Sequence, residues 1–142
     1  MRFMMLVKAS KESEAGGRPS RELLAAMGRF NEEMVKAGVL IAGDGLQPSS
    51  KGTRVTFSGS KRTFTEGPFA ETKELLAGFW MIDVKSKADA LAWASRVPFA
   101  DGEVIEVRQV FEAEDFPAEI FPAEEVAREE RLRDELERRA KR

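Results

Sequence analysis

Apolar residues recur along the first part of the chain in a pattern that predicts one strand followed by one helix. Residues 3–7 form a short, continuous apolar run, which is typical of a buried strand. After a polar segment that contains glycine, Ser20 can cap a helix whose apolar stripe repeats at spacings of three and four residues. The stripe consists of Leu23, Met27, Phe30 and Met34. Gly38 is a natural end for this helix.

Further apolar segments predict the remaining strands and a second helix. Residues 39–42 are rich in β-forming side chains and precede a loop that contains Gly, Pro and Ser. Residues 53–57 and 61–65 flank a Ser-Gly-Ser turn, which predicts a hairpin, and residues 78–84 form another apolar run. Ser86 can cap a helix that Pro98 closes. The alternation of apolar and polar residues in 102–111 predicts the last strand.

The predicted order of elements is β-α-β-β-β-β-α-β. Without the hairpin, this order is a split βαβ, or ferredoxin-like, arrangement of the α+β class, in which two helices cover one face of an antiparallel sheet. The other face then lacks a cover. A second copy of the same sheet would supply it, so we expect a homodimer with two-fold symmetry.

The composition changes after Phe111, which divides the chain into a predicted domain, residues 1–111, and a C-terminal extension, residues 112–142. The extension holds 11 acidic and 7 basic residues, whereas residues 1–111 hold 14 acidic and 16 basic residues. Phe116, Ile120 and Phe121 lie between prolines and predict an arm that docks on the body or on a partner subunit.

From Ala123 onward, acidic residues precede basic residues by four positions, which favours an exposed helix. The pairs are Glu124/Arg128, Glu129/Arg133, Asp134/Arg138 and Glu135/Arg139. The apolar line of this helix is thin. A solvated helix with one docking edge is therefore favoured over a coiled coil.

Composition excludes several kinds of chemistry. Cysteine and histidine are absent, as is tyrosine, which excludes disulfides, sulfur-ligated metals and a histidine base. The carboxylates show no recognisable metal-ligand spacing, and no phosphate loop or dinucleotide motif occurs, so no metal and no cofactor is predicted. Trp80 and Trp93 are predicted to be core residues rather than cofactor-stacking residues. Any proton transfer would fall to Asp, Glu, Lys, a hydroxyl group or bound water.

Charge and hydropathy bear on partners and location. The formal net charge of -2 gives no global field for nucleic acid or an anionic membrane, so neither is predicted as a partner. The apolar run at residues 3–7 is far too short for the core of a signal peptide or for a membrane span. We therefore expect a cytoplasmic protein.

A charged loop with a Gly-Pro pair connects the hairpin to the next strand, and residues 64–80 read FTEGPFAETKELLAGFW. The segment TEGPFAETKELLAGFWMIDV resembles the central motif of the YCII-related family, specifically its DGPF-domain branch, in which the motif begins approximately Asp-Gly-Pro-Phe-Ala-Glu-Thr-Lys-Glu. The flanking segments AGVLIAGDGLQP, DALAWASRVP and EVIEVRQV resemble the same family in the same order. The resemblance covers approximately residues 1–111.

The resemblance implies a ferredoxin-like subunit that pairs into a dimeric α+β barrel. It leaves the activity open, since proteins of the broader barrel superfamily include muconolactone isomerase, cofactor-independent monooxygenases and haem-dependent enzymes. Glu66 stands where the family usually has aspartate, which keeps a carboxylate but changes its reach. The histidine-aspartate mechanism suggested for the YCII branch proper does not transfer, because this chain has no histidine.

The loop has a structural and a functional interpretation. In the structural one, Gly67 and Pro68 shape the backbone, Phe69 anchors the turn in the core, and the charged groups pair locally. In the functional one, carboxylates of the loop line a cleft and move a proton, while a cation binds an anionic group. The candidate catalytic residues are Glu66 and Glu71, and the candidate binding residues are Lys73, Arg108, Glu106, Asp44 and Phe69.

Three of these binding residues lie outside the loop, and each has two interpretations. Asp44 lies between two glycines, where it either caps its own backbone in a tight turn or contacts a ligand. Strand alternation places Glu106 and Arg108 on one face, where they form either an internal ion pair or the polar wall of a cavity.

The leading functional hypothesis is a homodimer that binds a small anionic or aromatic molecule in a pocket beside the barrel. If the protein is an enzyme, we expect cofactor-free chemistry of an isomerase or lyase type, with Glu66 or Glu71 as the general base. The alternatives are a noncatalytic interaction module whose C-terminal tail binds a protein and a purely structural dimer with no ligand. The family resemblance connects such modules with extracytoplasmic-function sigma factors.

Overall fold

The computed structural model describes residues 1–141, which fall into two units, Met1–Val110 and the segment from Phe111. The strands of the first unit are β1 (Arg2–Lys8), β2 (Leu40–Gly45), β3 (Thr53–Ser58), β4 (Lys61–Glu66), β5 (Leu76–Asp83) and β6 (Ile105–Gln109). Its helices are α1 (Lys11–Glu14), α2 (Arg21–Lys36) and α3 (Lys87–Ser95), with 3₁₀ turns at Ser49–Lys51 and Thr72–Glu74. The second unit contains a 3₁₀ turn at Ala113–Asp115 and helix α4 (Ala123–Ala140).

Strands β2, β5, β1 and β6 pair in that order into the main sheet, and each of these pairings is antiparallel. The halves β1-α2-β2 and β5-α3-β6 are the two split βαβ units of a ferredoxin-like fold. The predicted α+β, ferredoxin-like class is therefore confirmed. The hairpin of β3 and β4 is inserted between the halves as a separate sheet, as its Ser-Gly-Ser turn predicted.

Local sequence signals start both long helices of this unit at the predicted positions. Oγ of Ser20 accepts a hydrogen bond from the amide of Leu23 at 3.0 Å, and Oγ of Ser86 accepts one from the amide of Asp89 at 3.1 Å. Gly38 follows α2 with a φ of 74°, in the left-handed region that favours glycine. These caps fix where each helix begins and how α2 ends.

The hydrophobic core lies between the main sheet and helices α2 and α3. Alternate residues of β1 and β5 face the helices and are buried, and they pack against α2 residues and one α3 residue. The buried side chains of these four elements are Phe3, Met5, Trp80, Ile82, Phe30, Met34 and Ala90. The rings of Phe30 and Trp80 meet edge to face at a centroid distance of 5.6 Å.

The apolar stripe of α2 is divided between two environments. Phe30 and Met34, in the C-terminal half of the helix, are buried in the core. Leu23 and Met27, in the N-terminal half, are only half-buried. Met27 packs against the edge of the core, so the stripe extends beyond its fully buried residues, toward one end of the sheet.

Two segments differ from the sequence prediction. Residues 11–14, predicted as part of a polar loop, form the short helix α1, which Ser10 and Ser13 start with reciprocal hydrogen bonds of 3.0 and 2.9 Å. Strand β2 continues to Gly45, so Asp44 lies in a strand paired with Phe79 and not in the predicted tight turn. Pairing with β5 is a nonlocal interaction, which outweighs the local preference of Gly-Asp-Gly for a turn.

The sheet face turned away from the helices is also largely apolar at its centre. Met4 pairs with Met81, and Leu6 pairs with Phe79, so these four side chains share that face. All four are half-buried in the single chain.

The second unit combines an aromatic cluster with a charged helix. Phe116 lies 4.9 Å from Phe111 and 5.9 Å from Phe121, measured between ring centroids. In α4 the predicted pairs Glu129/Arg133 and Glu135/Arg139 are formed, with N···O distances of 3.4 and 3.1 Å. The other two predicted pairs are replaced by pairs with a carboxylate three positions away: Arg128 pairs with Glu125, and Arg138 pairs with Glu135.

Candidate functional site

The loop after β4 is held against the 3₁₀ turn Ser49–Lys51. The amide of Gly67 donates to the carbonyl oxygen of Gly52 at 2.9 Å, and the amide of Phe69 donates to Oγ of Ser49 at 3.1 Å. The guanidinium group of Arg54 stacks on the ring of Phe69, 3.8 Å from its centroid. Phe69 is thus half-buried under an arginine and is not a member of the hydrophobic core, where the structural interpretation of the loop placed it.

Gly67 has no room for a side chain. A Cβ atom at this position would lie 1.7 Å from the carbonyl oxygen and 2.6 Å from the carbonyl carbon of Ser49, distances that real Cβ contacts do not reach. Its φ is not positive, so the backbone conformation alone does not require glycine. The close approach to the Ser49 backbone requires it.

Glu14 of α1 binds the same serine. Its carboxylate accepts hydrogen bonds from the Ser49 amide at 2.9 Å and from the Ser49 hydroxyl group. Because Oγ of Ser49 also accepts from Phe69, a chain of hydrogen bonds joins α1 to the loop. The Ser49 hydroxyl, and next the Ser49 amide, lower the pKa of Glu14 by stabilising the ionised carboxylate, and they outweigh desolvation. Sequence analysis missed Glu14 because no local signal connects it with a residue 35 positions away.

The lowered pKa makes the contribution of Glu14 to stability depend on pH. A depressed folded-state pKa gives full stabilisation above the unfolded-state value, about 4.3 for Glu, and the stabilisation is lost as pH falls through the folded-state pKa. We expect Glu14→Gln to lower the free energy of unfolding near neutral pH and to lose that effect in acid. Urea unfolding across this range measures the difference.

The matched control for this prediction is Glu12→Gln in the same short helix. The Glu12 carboxylate has no hydrogen-bond or ion-pair partner within the part of the chain that the structure describes. Its replacement should therefore have only a small effect on the free energy of unfolding. A Glu14→Gln effect that stays constant between neutral and acid pH would contradict the role assigned to the Ser49 hydrogen bonds.

Asp44, Glu106 and Arg108 share the sheet face that is turned away from α2 and α3. Glu106 lies 3.8 Å from Nζ of Lys8 and 3.9 Å from Nε of Arg108. Glu106 and Arg108 thus form an ion pair, but it is not internal, because 44% and 73% of the two side chains are exposed. Such a pair contributes at most about 1 kcal/mol. Asp44 lies on β2 at the opposite edge, about 14 Å away across three strand spacings.

A cavity of about 1100 Å³ opens at the end of the sheet where β1 and β2 end and where β5 and β6 begin. The N-terminal half of α2 contributes Leu23 and Met27 to its wall, and the sheet contributes Trp80. Phe99, from the connection between α3 and β6, adds a second ring. The N-terminal half of the α2 stripe therefore forms an apolar wall of this cavity.

Charged side chains of both signs line the same cavity. The cations are Lys8, Arg18 and Lys73, and the carboxylates are Glu12, Asp44 and Glu103. Lys8 is paired with Glu106, which lies outside the lining. Among residues 1–141, Arg18 and Lys73 have no ion-pair or hydrogen-bond partner for their charged groups. Two cations are thus available to a molecule bound against the apolar wall.

The structure places some of the predicted site residues on this cavity and others elsewhere. Lys73 and Asp44 line the cavity, whereas Glu66, Glu71, Phe69, Glu106 and Arg108 do not. The Glu66 carboxylate accepts from Oγ1 of Thr53 at 3.0 and 3.1 Å. Glu71 is exposed directly before the 3₁₀ turn Thr72–Glu74. Arg18, which sequence analysis did not identify, joins Lys73 only because the fold brings two distant connections together.

A smaller depression of about 460 Å³ lies between the C-terminal end of α2 and helix α3. Two of its charged groups are already paired. Asp83 accepts from the N-terminal amine of Met1 at 3.1 Å, and Arg96 pairs with Glu33. Its charged lining is therefore less available to a ligand than that of the larger cavity.

Two kinds of feature are not found within residues 1–141. No group of three or more Asp or Glu side chains is arranged to hold a metal ion. Every described helix is too short or too polar to pass through a bilayer.

Known sequences resemble this chain over most of its length. An uncharacterized protein of Rhizobium meliloti (strain 1021) is 34% identical over 88 residues, which are 62% of this chain and 68% of that protein. The sequence model of the YCII-related domain matches residues 1–114. Because this match covers more than half of the chain, the protein belongs to the YCII-related family.

Proposed function

We propose that the chain binds a small organic acid with an aromatic or otherwise apolar body in the cavity at the end of the sheet. The observation that supports this proposal is the presence of Arg18 and Lys73, unpaired among residues 1–141, on the same cavity as the rings of Trp80 and Phe99. Apolar walls favour a hydrocarbon body, and cations bind and orient an anionic group. The cavity volume of about 1100 Å³ is sufficient for such a molecule.

The proposal includes a homodimer of the DGPF branch. A second copy on the outer sheet face would bury the half-exposed side chains Met4, Leu6, Phe79 and Met81, and burial of apolar surface favours association. The sequence Gly67-Pro68-Phe69 supports the assignment to that branch. Sedimentation equilibrium measures the mass in solution, and a monomer at all concentrations would exclude the dimer.

For a reaction, we propose cofactor-free chemistry of an isomerase or lyase type in which a carboxylate moves the proton. Neither Glu66 nor Glu71 lines the cavity, so nothing in the cavity supports the prediction that one of them is the general base. Glu12, Asp44 and Glu103 do line it, so proton transfer to or from a molecule bound there would fall to one of these three carboxylates.

Naphthalene-2-carboxylate and naphthalene-2-carboxamide test the proposal because they share an apolar body and differ in charge. We expect the carboxylate to bind about tenfold more tightly than the amide, since a charge-assisted hydrogen bond exceeds a neutral one by about 1.4 kcal/mol. Lys73→Met should reduce this preference, since it removes one of the two cavity cations that are unpaired in the described part of the chain. Titrations followed by nuclear magnetic resonance of the backbone amides and the Trp80 indole measure both affinities.

Lys87→Met is the control for Lys73→Met, because Lys87 is an exposed lysine that does not line the cavity. The control should keep the preference for the carboxylate. If neither naphthalene compound shifts the resonances of cavity residues, the proposed function is wrong. Binding with no preference for the carboxylate would instead reject the acid as the ligand class.

A second candidate function is a noncatalytic interaction through the C-terminal arm. Ile120 is 71% exposed and Phe111 is 69% exposed, in a segment that also carries Glu112, Glu114 and Asp115. An exposed apolar side chain in an acidic segment favours a protein partner with a basic, apolar surface. Titration with an extracytoplasmic-function sigma factor tests this candidate: Ile120→Glu should weaken binding, and Glu71→Ala should not. Loss of turnover in Glu71→Ala, with turnover kept in Ile120→Glu, would instead support the prediction that Glu71 is a general base.

A further inference from the structure

We infer that Asn31 of α2 is a specificity-determining residue of the cavity, which donates a hydrogen bond to a neutral oxygen acceptor on the body of the bound acid. The inference rests on the proposed function and narrows its ligand class. It predicts an apolar acid that carries a second oxygen, such as a ketone, and not a plain hydrocarbon acid. Asn31 is the one asparagine in the sequence, and it lines the cavity beside Trp80.

The orientation of the Asn31 carboxamide is fixed by its partner. Nε1 of Trp80 donates to Oδ1 of Asn31 at 2.9 Å. An indole nitrogen can only donate, so the oxygen of the carboxamide, and not its nitrogen, must face Trp80. The amino group of Asn31 therefore lies on the side of the carboxamide away from the indole.

Trp80 is itself held in place, so it is a rigid partner. The residue is 5% exposed, and its ring packs edge to face on Phe30 at 5.6 Å and against Phe99 at 6.2 Å. On the β2 side, Gly43 lies so close that a Cβ atom there would be 2.7 Å from Cδ1 of the indole. A ring confined on these sides keeps the carboxamide of Asn31 in one orientation.

The amino group of Asn31 is free to bind a ligand. Within residues 1–141 it has no hydrogen-bond acceptor, and every side-chain nitrogen or oxygen that is fully buried does have a partner. The amino group is therefore accessible, although the side chain as a whole is half-buried. A donor held at the apolar wall of a cavity discriminates between ligands, because its hydrogen bond is lost with a ligand that offers no acceptor.

The test compares 4-acetylbenzoate with 4-isopropylbenzoate, which are similar in size and differ in that a methyl group and a hydrogen replace the carbonyl oxygen. Wild-type protein should bind the acetyl compound about tenfold more tightly. Selective labelling of asparagine with nitrogen-15 gives the pair of side-chain amide signals of a single residue, Asn31, and the acetyl compound should shift them much more than the isopropyl compound does.

Asn31→Asp keeps the oxygen that accepts from Trp80 and replaces the donor with a second carboxylate oxygen, which repels the acetyl oxygen. The ratio of the two affinities should therefore fall to about one or below in this variant. Asn31→Leu removes the donor without adding a charge and should give a ratio of about one. Gln109→Glu makes the same change of carboxamide to carboxylate at an exposed position outside the cavity, and it should leave the preference intact.

The outcomes distinguish failure of the Asn31 inference from failure of the proposed function. Loss of the preference in both Asn31 variants, with Gln109→Glu unchanged, supports the inference. Equal binding of the two acids by wild type, or a preference that survives Asn31→Asp, overturns the inference and leaves the proposed function standing. If neither acid shifts any resonance of the cavity, the proposed function is overturned, and the inference with it.

Discussion

Gly67→Ala is expected to lower the free energy of unfolding by about 3 kcal/mol, since overpacking against fixed atoms costs about 1–3 kcal/mol and occasionally more. The new Cβ atom would lie 1.7 Å from the carbonyl oxygen of Ser49, and backbone atoms cannot move aside as the end of a flexible side chain can. Ser49 must shift, which disturbs its hydrogen bonds with Glu14 and Phe69. Chemical denaturation measured by circular dichroism gives the change.

Gly28→Ala is the matched control for this experiment. Gly28 lies within α2, and a Cβ atom there meets nothing within 4 Å. Alanine is the better helix former, so this variant should be more stable than wild type by about 0.5–1 kcal/mol. The two substitutions are chemically identical and should act with opposite signs. A Gly67→Ala variant as stable as wild type would show that the loop does not pack on Ser49 as closely as described.

Phe30→Ala is expected to lower the free energy of unfolding by about 3–5 kcal/mol, the range for phenylalanine truncated in a packed core. Phe30 is 4% exposed and meets the rings of both Trp80 and Trp93, at 5.6 and 6.2 Å. Its removal leaves a void among aromatic rings that cannot close without moving the sheet or α3. Since a typical domain is stable by about 5–15 kcal/mol, this loss is a large part of the stability of a domain at the lower end of that range.

Leu24→Ala is the control for Phe30→Ala on the same helix. Leu24 is 58% exposed, so its truncation should change the free energy of unfolding by no more than about 0.5 kcal/mol. Tryptophan fluorescence during urea denaturation follows both variants. A loss below about 1 kcal/mol for Phe30→Ala would be inconsistent with the described core.

Much of the fold could be predicted because its signals are local. Ser20 and Ser86 cap helices that they directly precede, and the Ser-Gly-Ser turn specifies the hairpin without help from the rest of the chain. The extension of β2 through Gly43 and Asp44 could not be predicted in the same way. It depends on pairing with β5, and Gly43 fits there because the Trp80 indole lies against it.

The candidate site was less predictable than the fold. Lys73 and Asp44 were identified because charged residues beside glycines or in an irregular loop attract a functional interpretation, and both line the cavity. Glu66 and Glu71 have the same kind of sequence environment but do not line it. Asn31 carries no sequence signal, since its importance depends on an indole 49 positions away. The contacts that define the site are formed by tertiary structure alone.

The apolar stripe of helix α2 is constrained in two different ways, by core packing in one half and by the cavity in the other, and the two halves are about two turns apart. Phe30 and Met34 are constrained by packing, so few substitutions there leave a folded protein. Leu23 and Met27 form part of the cavity wall, where a change of side-chain size or shape alters the space for a ligand. Such a change removes less buried surface than a change at Phe30 or Met34 does. Family members could thus diverge in what they bind by varying the first half of this helix while the second half preserves the common scaffold.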